Sequence, residues 1–561
     1  MLIKTIKLLE YTKVFPEKCL DINEEIKCFS RITLLKVVFT LARDFSDFLI
    51  SDMKGHPFFS YKSQYADERM KSIEQYIAAN EMDPNLIAYA GEKTLLELLK
   101  LTFSVEAQVQ SDKYSKEVAE AKIFDLLLAI NEQNVASVKP STKQNHNLPK
   151  TLYVIQYASN EMSNYNVDLA LIEQKYYADS FSLFINQREY KELYNYFLKA
   201  FEICNWQDYF NTILMIVCWC KKYWLNKFSI KKCDPQNILN KKVLEHISID
   251  INARIEVEGH DGNRDFSEFR YKPLIKINED EYQPICTKFI IDRLYNGIYF
   301  DLMNCGLKFC GKEFSQFYKE TFVEKYLFDR TLIQCLNESR MSECFPKVED
   351  VLSGKILSAK EEEGQLDFYF REGKNIFLFE CKAIKLNGIF KEESDIDKII
   401  DELSNKLFMK KEKNGAGGTI GGEKGKSVGV GQLISHIVSL ENNSFKWDSV
   451  NTKECVYYPI LVLENNEVAQ EPLTVILNEW YQESIRQKGL PEKKCMPVVA
   501  LTIKTLFLYN DYLKKDGFKH YIDRYINEIL RTGNPLVAPF CSFDSFMLTN
   551  VYYDKHDYFT K

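Results

Sequence analysis

Three residues of this chain have the types and spacing to do chemistry together: Asp367, Glu380 and Lys382. They lie in Gly364-Gln-Leu-Asp-Phe-Tyr-Phe-Arg-Glu-Gly-Lys-Asn-Ile-Phe-Leu-Phe-Glu-Cys-Lys. Ile376–Phe379 is an unbroken apolar run, and a Glu and a Lys follow it within the same expected strand. Burying such groups is costly unless they are paired or used. Side chains alternate along a strand, so Glu380 and Lys382 share a face. A hairpin turning between Glu372 and Gly373 sets Asp367 opposite Leu378, as the diagonal neighbour of Glu380, roughly 7–8 Å away. A one-residue slip in that register would put Asp367 on the wrong face.

Two carboxylates and an amine in that arrangement suit phosphodiester hydrolysis, which needs charge neutralisation and an activated water. Oxygen ligands favour Mg²⁺ or Mn²⁺. Asp367 and Glu380 are the expected ligands, helped by the carbonyl of Cys381. Lys382 is expected to orient the water and stabilise developing negative charge.

This pattern resembles the PD-(D/E)XK nuclease superfamily: Asp367, twelve intervening residues, then Glu380-Cys381-Lys382. Leu366 stands where the family name has Pro, which many members lack. The resemblance covers about residues 305–515. It implies a restriction-endonuclease-like mixed sheet flanked by helices, and Mg²⁺- or Mn²⁺-dependent cutting of DNA, with RNA the alternative substrate. It also implies an acidic residue on a preceding helix, for which Glu320 is the first candidate and Glu324 the second. A Gln on the helix after the Glu-x-Lys strand is implied too. Gln432 fits it, with His436 one turn further along the same face. Members fused to large helical regions look like restriction or anti-phage defence effectors.

Glu-x-Lys alone says little. It recurs at Glu25/Lys27, Glu120/Lys122, Glu173/Lys175 and Glu492/Lys494, none of which ends an apolar strand. The plain alternative for Glu380 and Lys382 is a surface ion pair on an edge strand, which the apolar run argues against. At the level of function the alternative is a nuclease-like domain that binds nucleic acid or a partner without cutting.

The elements that must position these residues come from the rest of the chain. At 561 residues it exceeds one ordinary domain. With 45% hydrophobic and 27% charged residues it has globular composition. A net charge of -7 argues against non-specific coating of nucleic acid, though not against a local basic groove. Residues 1–245 read as a mainly helical recognition or partner-binding region. Apolar residues recur there at three- and four-residue spacing, as in Ile123, Leu126, Leu127 and Ile130. Residues 246–304 read as a strand near Ile247–Val257, a hairpin across Asn278-Glu279-Asp280 and a connecting helix from Cys286 to Met303. Residues 305–561 read as the α/β part, with strands at Gln365–Phe370, Asn375–Ala383, Val456–Leu463 and Met496–Thr502. The expected class is therefore α+β or α/β behind a helical region.

Other chemistry is excluded by spacing. In Gly421-Gly-Glu-Lys-Gly-Lys-Ser the first glycine a phosphate-binding loop requires falls on Ile420. This lysine-rich stretch is expected to be a flap over the site. The fifteen cysteines lack paired zinc-ribbon spacing and suit reduced, buried thiols. Lysines interrupt the first residues, and the longest apolar run, near Ile213–Cys220, is far too short for a membrane span. A cytoplasmic protein without membrane contact is expected.

Overall fold

The computed structural model describes residues 7–42, 48–49, 64–104, 112–136, 147–159, 166–223, 225–233, 238–255, 266–303, 305–309, 311–354, 366–386, 395–411, 425–531 and 537–552. Among these, helices predominate and the strands form several small sheets, none closed, so the class is mixed α/β. No helix among them is long and apolar enough to cross a membrane.

The largest sheet has five strands in sequential order: β1 (Glu343–Phe345), β2 (Phe368–Glu372), β3 (Asn375–Lys382), β4 (Val456–Leu463) and β5 (Val499–Thr502). The first three pair antiparallel; β3, β4 and β5 run parallel. Parallel strands need crossovers that cover both faces. Phe377, Phe379 and Cys381 of β3 accordingly enter one core, and Ile376 and Leu378 enter another on the opposite face. Pro459 is tolerated in β4 because the ladder to β5 begins only at Ile460 opposite Val499.

Five helices bear on the site. They are α1 (Asn296–Met303), α2 (residues 314–334), α3 (Ile396–Leu407), α4 (Val430–Glu441) and α5 (Leu473–Gln487). The central part of α2, Tyr318–Leu327, is π-helical. Its buried residues Tyr318, Phe322, Val323, Tyr326 and Leu327 face the core shared with Phe377 and Phe379. On the other face, α4 lies against β3 and β4. Between α3 and α4 a short hairpin pairs Met409–Lys411 with Gly425–Ser427. The intervening part of the expected flap lies outside the described residues.

The expected hairpin around residue 279 is present, pairing Leu274–Lys276 with Glu281–Pro284. The strand near Ile247 is shorter than expected, Ser248–Asp250. The connecting helix after Cys286 is two helices, Thr287–Asp292 and α1, with the Arg293 side chain buried between them on Asp301. Buried residues from 9–130 share a core with residues 249–289, while residues 177–247 share theirs with the five-stranded sheet. Tyr153, Val154 and Tyr157 join the core on the opposite face of that sheet, so the helical region contributes to three cores.

The crossing of α3 and α4 is tight enough to demand glycine. Gly429 has φ +51°, and a Cβ on it would lie 2.5 Å from the Leu407 carbonyl oxygen. A Cβ on Gly431 would collide with the Phe408 carbonyl oxygen. Gly431→Ala is therefore expected to destabilise the protein by more than about 1 kcal/mol. A thermal melt of the variant that matched the wild type would contradict this close approach.

Candidate functional site

The β2–β3 hairpin sets the first pair of groups. Glu372 pairs with Asn375, so the turn is Gly373-Lys374, and Gly373 takes the φ of +58° that a two-residue turn requires. The ladder then places Phe368 opposite Phe379. Extended by one residue, it puts Asp367 opposite Glu380, not opposite Leu378 as the sequence led us to expect. The register differs from that expectation by two residues. Because the side-chain period is two, the face is preserved and the two acids come closer.

Glu380 is fully buried, with a relative exposure of 0%. Its Oε1 accepts from the Lys382 ammonium at 2.6 Å. Its Oε2 is buried and has no hydrogen-bond partner among the described residues. Asp367 Oδ2 accepts from the backbone N–H of Cys381 at 2.7 Å, which ties the acid to β3. Burial, then the Asp367 charge, push the Glu380 carboxyl well above its ordinary range, against the pull of Lys382. For Lys382 burial acts downward, but the charges of Glu380, Asp367 and Glu324 outweigh it and raise the amine. Lys382 is therefore a cation and not a base near neutrality.

The acid brought to this group from α2 is Glu324. It accepts a hydrogen bond from the Ala383 backbone N–H, just past β3. Burial, then Asp367 and Glu320, raise its carboxyl to about 8, against Lys382 and the Ala383 N–H. Glu320 lies elsewhere: it pairs with Lys312 at 2.5 Å and accepts from Gln316 at 3.0 Å. Burial would raise Glu320, but those two partners outweigh it and the net shift is downward. Gln432 also turns to a local task, its Oε1 accepting the Gly429 N–H at 3.0 Å to cap the start of α4. The His436 ring packs against Phe445. Cys381 buries its side chain in the core and offers its N–H to Asp367.

The sequence reading missed three groups. Asp329 on α2 is fully buried, with its carboxyl raised by burial and by Asp367. Glu464 directly follows β4; it accepts from the Tyr318 hydroxyl at 3.2 Å, and its N–H reaches the Lys382 carbonyl. Lys385 lies three residues past Lys382, its amine lowered by burial. Glu464 carried the same signal as Glu380, a charge ending an apolar strand.

Asp367, Glu380 and Glu324 thus gather around one ammonium at the carboxyl ends of the parallel strands, where ligands bind in open α/β sheets. No set of three or more His, Cys, Asp or Glu among the described residues is arranged to hold a metal by itself. Mg²⁺ asks for less, binding through one or two carboxylates together with water and substrate phosphate. The orphaned Glu380 Oε2 beside Asp367 fits that donor set. No protein-family model, curated protein or solved structure matches the chain.

A carboxyl whose folded pKa is raised holds its proton longer in the folded state. Stability from Glu324 is full below about 4.5 and is lost as pH rises through about 8. In metal-free buffer, Glu324→Gln is expected to flatten the decline of stability between those two values. Parallel wild-type and variant curves in denaturant titrations across that range would show that Glu324 is not held this way.

Proposed function

We propose that this chain is a metal-dependent endonuclease with a restriction-endonuclease-like core, hydrolysing phosphodiester bonds in DNA. One observation carries the reading. A completely buried Glu380 ends an apolar central strand with one oxygen unpartnered among the described residues, beside a cationic Lys382 and in register with Asp367. A buried acid left partly unsatisfied costs stability and calls for a use.

Asp367 and Glu380 are the residues that would hold Mg²⁺ or Mn²⁺, with Glu324 at the edge of the same group. The metal, when bound, supplies charge neutralisation at the phosphate and lowers the pKa of a bound water. The chain's own groups do the rest. Asp367 is fixed by the Cys381 N–H, so the acid need not reorganise on binding. Lys382 offers a preformed cation beside Glu380 that would position water and stabilise negative charge on the phosphoryl oxygens. Its raised amine keeps it charged, so it acts as a hydrogen-bond donor and electrostatic group and does not give up its proton. The apolar strand beneath keeps the local dielectric low, which strengthens both effects.

A second reading is favoured by a different observation: the Glu380–Lys382 ion pair already closes half the site, and no three-ligand set stands ready among the described residues. On that reading the domain grips nucleic acid or a partner without cutting it.

Incubation with plasmid, linear DNA and RNA in Mg²⁺, Mn²⁺ or EDTA separates the two. The nuclease reading expects cutting that EDTA abolishes and that Lys382→Met lowers about a hundred-fold or more, with the thermal midpoint checked to confirm folding. Binding without cutting in every metal, unchanged in that variant, supports the second reading and overturns the first.

A further inference from the structure

The ladder between β3 and β4 ends at Lys382 opposite Leu463. The peptide group that follows joins Lys382 to Ala383, and it is held from two sides. Its carbonyl accepts from the Glu464 backbone N–H at 3.3 Å. Its N–H donates to the Glu324 carboxyl. A peptide group is planar, so holding both of its polar ends fixes the plane. That plane borders the Lys382 Cα on one side, as the ladder borders it on the other. The ammonium is therefore aimed from a fixed Cα.

The two holding residues are joined by Tyr318. It is the first residue of the π-helical stretch that carries Glu324. Its hydroxyl donates to Glu464 Oε1 at 3.2 Å. A tyrosine has one proton to give, so the Tyr295 hydroxyl, also bonded to Tyr318, is the donor in that second bond. The Tyr299 ring packs edge-on against Tyr318, 4.7 Å between centroids. Tyr295, Tyr318 and Glu464 are all buried. A buried carboxylate that loses its donor is left with an unpaid desolvation cost, so this bond resists breaking. The bonds close a ring: Tyr318 to Glu464, Glu464 to the Lys382 carbonyl, the Ala383 N–H to Glu324, and Glu324 back to Tyr318 along α2.

We propose that Tyr318 is a positioning residue for Lys382: by tying α2 to Glu464 it keeps both holds on the Lys382–Ala383 peptide in place. Without the hydroxyl, the start of the π-helical stretch is free to shift against the sheet, and Glu324 with it. The plainer role for the same hydroxyl is to satisfy the buried Glu464 and nothing more. The two differ in what Ala383 feels when the hydroxyl is removed. The proposal rests on the nuclease reading for what Lys382 does, but the clamp on the peptide is defined without activity.

The test is amide hydrogen exchange, by NMR, in the metal-free full chain with isotope-labelled alanine. Ala383 is compared with Ala500 of β5, whose N–H donates to the Thr474 hydroxyl. Tyr318→Phe removes the hydroxyl and keeps the ring. It is expected to speed exchange at Ala383 about ten-fold relative to Ala500, the scale of one hydrogen bond to a charged group. Glu464→Gln keeps an acceptor for Tyr318 and is expected to leave Ala383 at the wild-type rate, whereas Glu464→Leu is expected to match Tyr318→Phe. In cutting assays Tyr318→Phe is expected to lower kcat about ten-fold with KM unchanged. No change at Ala383, or equal acceleration of Ala383 and Ala500, overturns the positioning role. A wild-type kcat in Tyr318→Phe overturns it as well. If Ala383 responds as expected and even the wild type cuts no substrate, the nuclease reading falls and the clamp on the peptide remains.

Discussion

The arrangement depends on one costly interaction: a glutamate with no solvent exposure facing a lysine two residues on, at the end of an apolar central strand. Taking two opposite charges out of water is not repaid by their attraction alone. Replacing both by apolar residues of similar size would leave the sheet as well packed. The pair persists in a place where the fold gains little from it, and the second oxygen of Glu380 is buried without a partner among the described residues. Sites with such imbalance are where binding and catalysis are found.

Everything near that pair serves to hold it. β4 buries β3 from one edge and β2 from the other, so Glu380 cannot swing out to water. The Asp367 carboxylate is stapled to the Cys381 N–H, so it stays beside Glu380 despite the repulsion between them. α2 contributes Glu324 through its contact with the Ala383 N–H, and buries Asp329 beneath. Burial and mutual repulsion raise the Glu324, Asp329 and Glu380 carboxyls, while Glu380, Asp367 and Glu324 together raise the Lys382 amine. The cluster therefore holds protons more firmly than separate carboxylates would, and an added cation would release them.

Much of this was legible because strands advertise themselves. β4 occupies the residues the pattern gave, Val456–Leu463, since a long apolar run bounded by polar residues has few other folds open to it. The face shared by Asp367, Glu380 and Lys382 survived an error in the turn because two residues of slip return a strand to the same side. Helix phase was less legible. A stripe read at helical spacing in 314–327 leaves both Glu320 and Glu324 near the edge of the apolar face. The wider π-helical turn over Tyr318–Leu327, which no composition rule announces, decides which acid reaches the sheet. Gln432 shows a different limit. Its type fitted a site residue, but a side chain near a helix start is also the natural acceptor for the local N–H of Gly429.

Tertiary sharing of the core was the least legible feature. Local periodicity marked residues 1–245 as helical but could not say which neighbours their apolar faces meet. Phe181 and Phe184 on the helix Val167–Ile185 pack against Phe322 of α2, while Leu126 and Leu127 belong to a separate core with Phe269 and Phe289. Glu173 on that first helix accepts from Asn466 at 2.7 Å, two residues past Glu464, and lies 3.7 Å from Lys504. A helix from the amino-terminal half is thus bonded to the loop that leaves β4 at the level of the acidic cluster. A change in how that helix sits would be felt first at Glu464 and Tyr318, whose hydrogen bond borders α2, and through α2 at Glu324. The same helix therefore does structural work for the sheet, through Asn466 and Lys504.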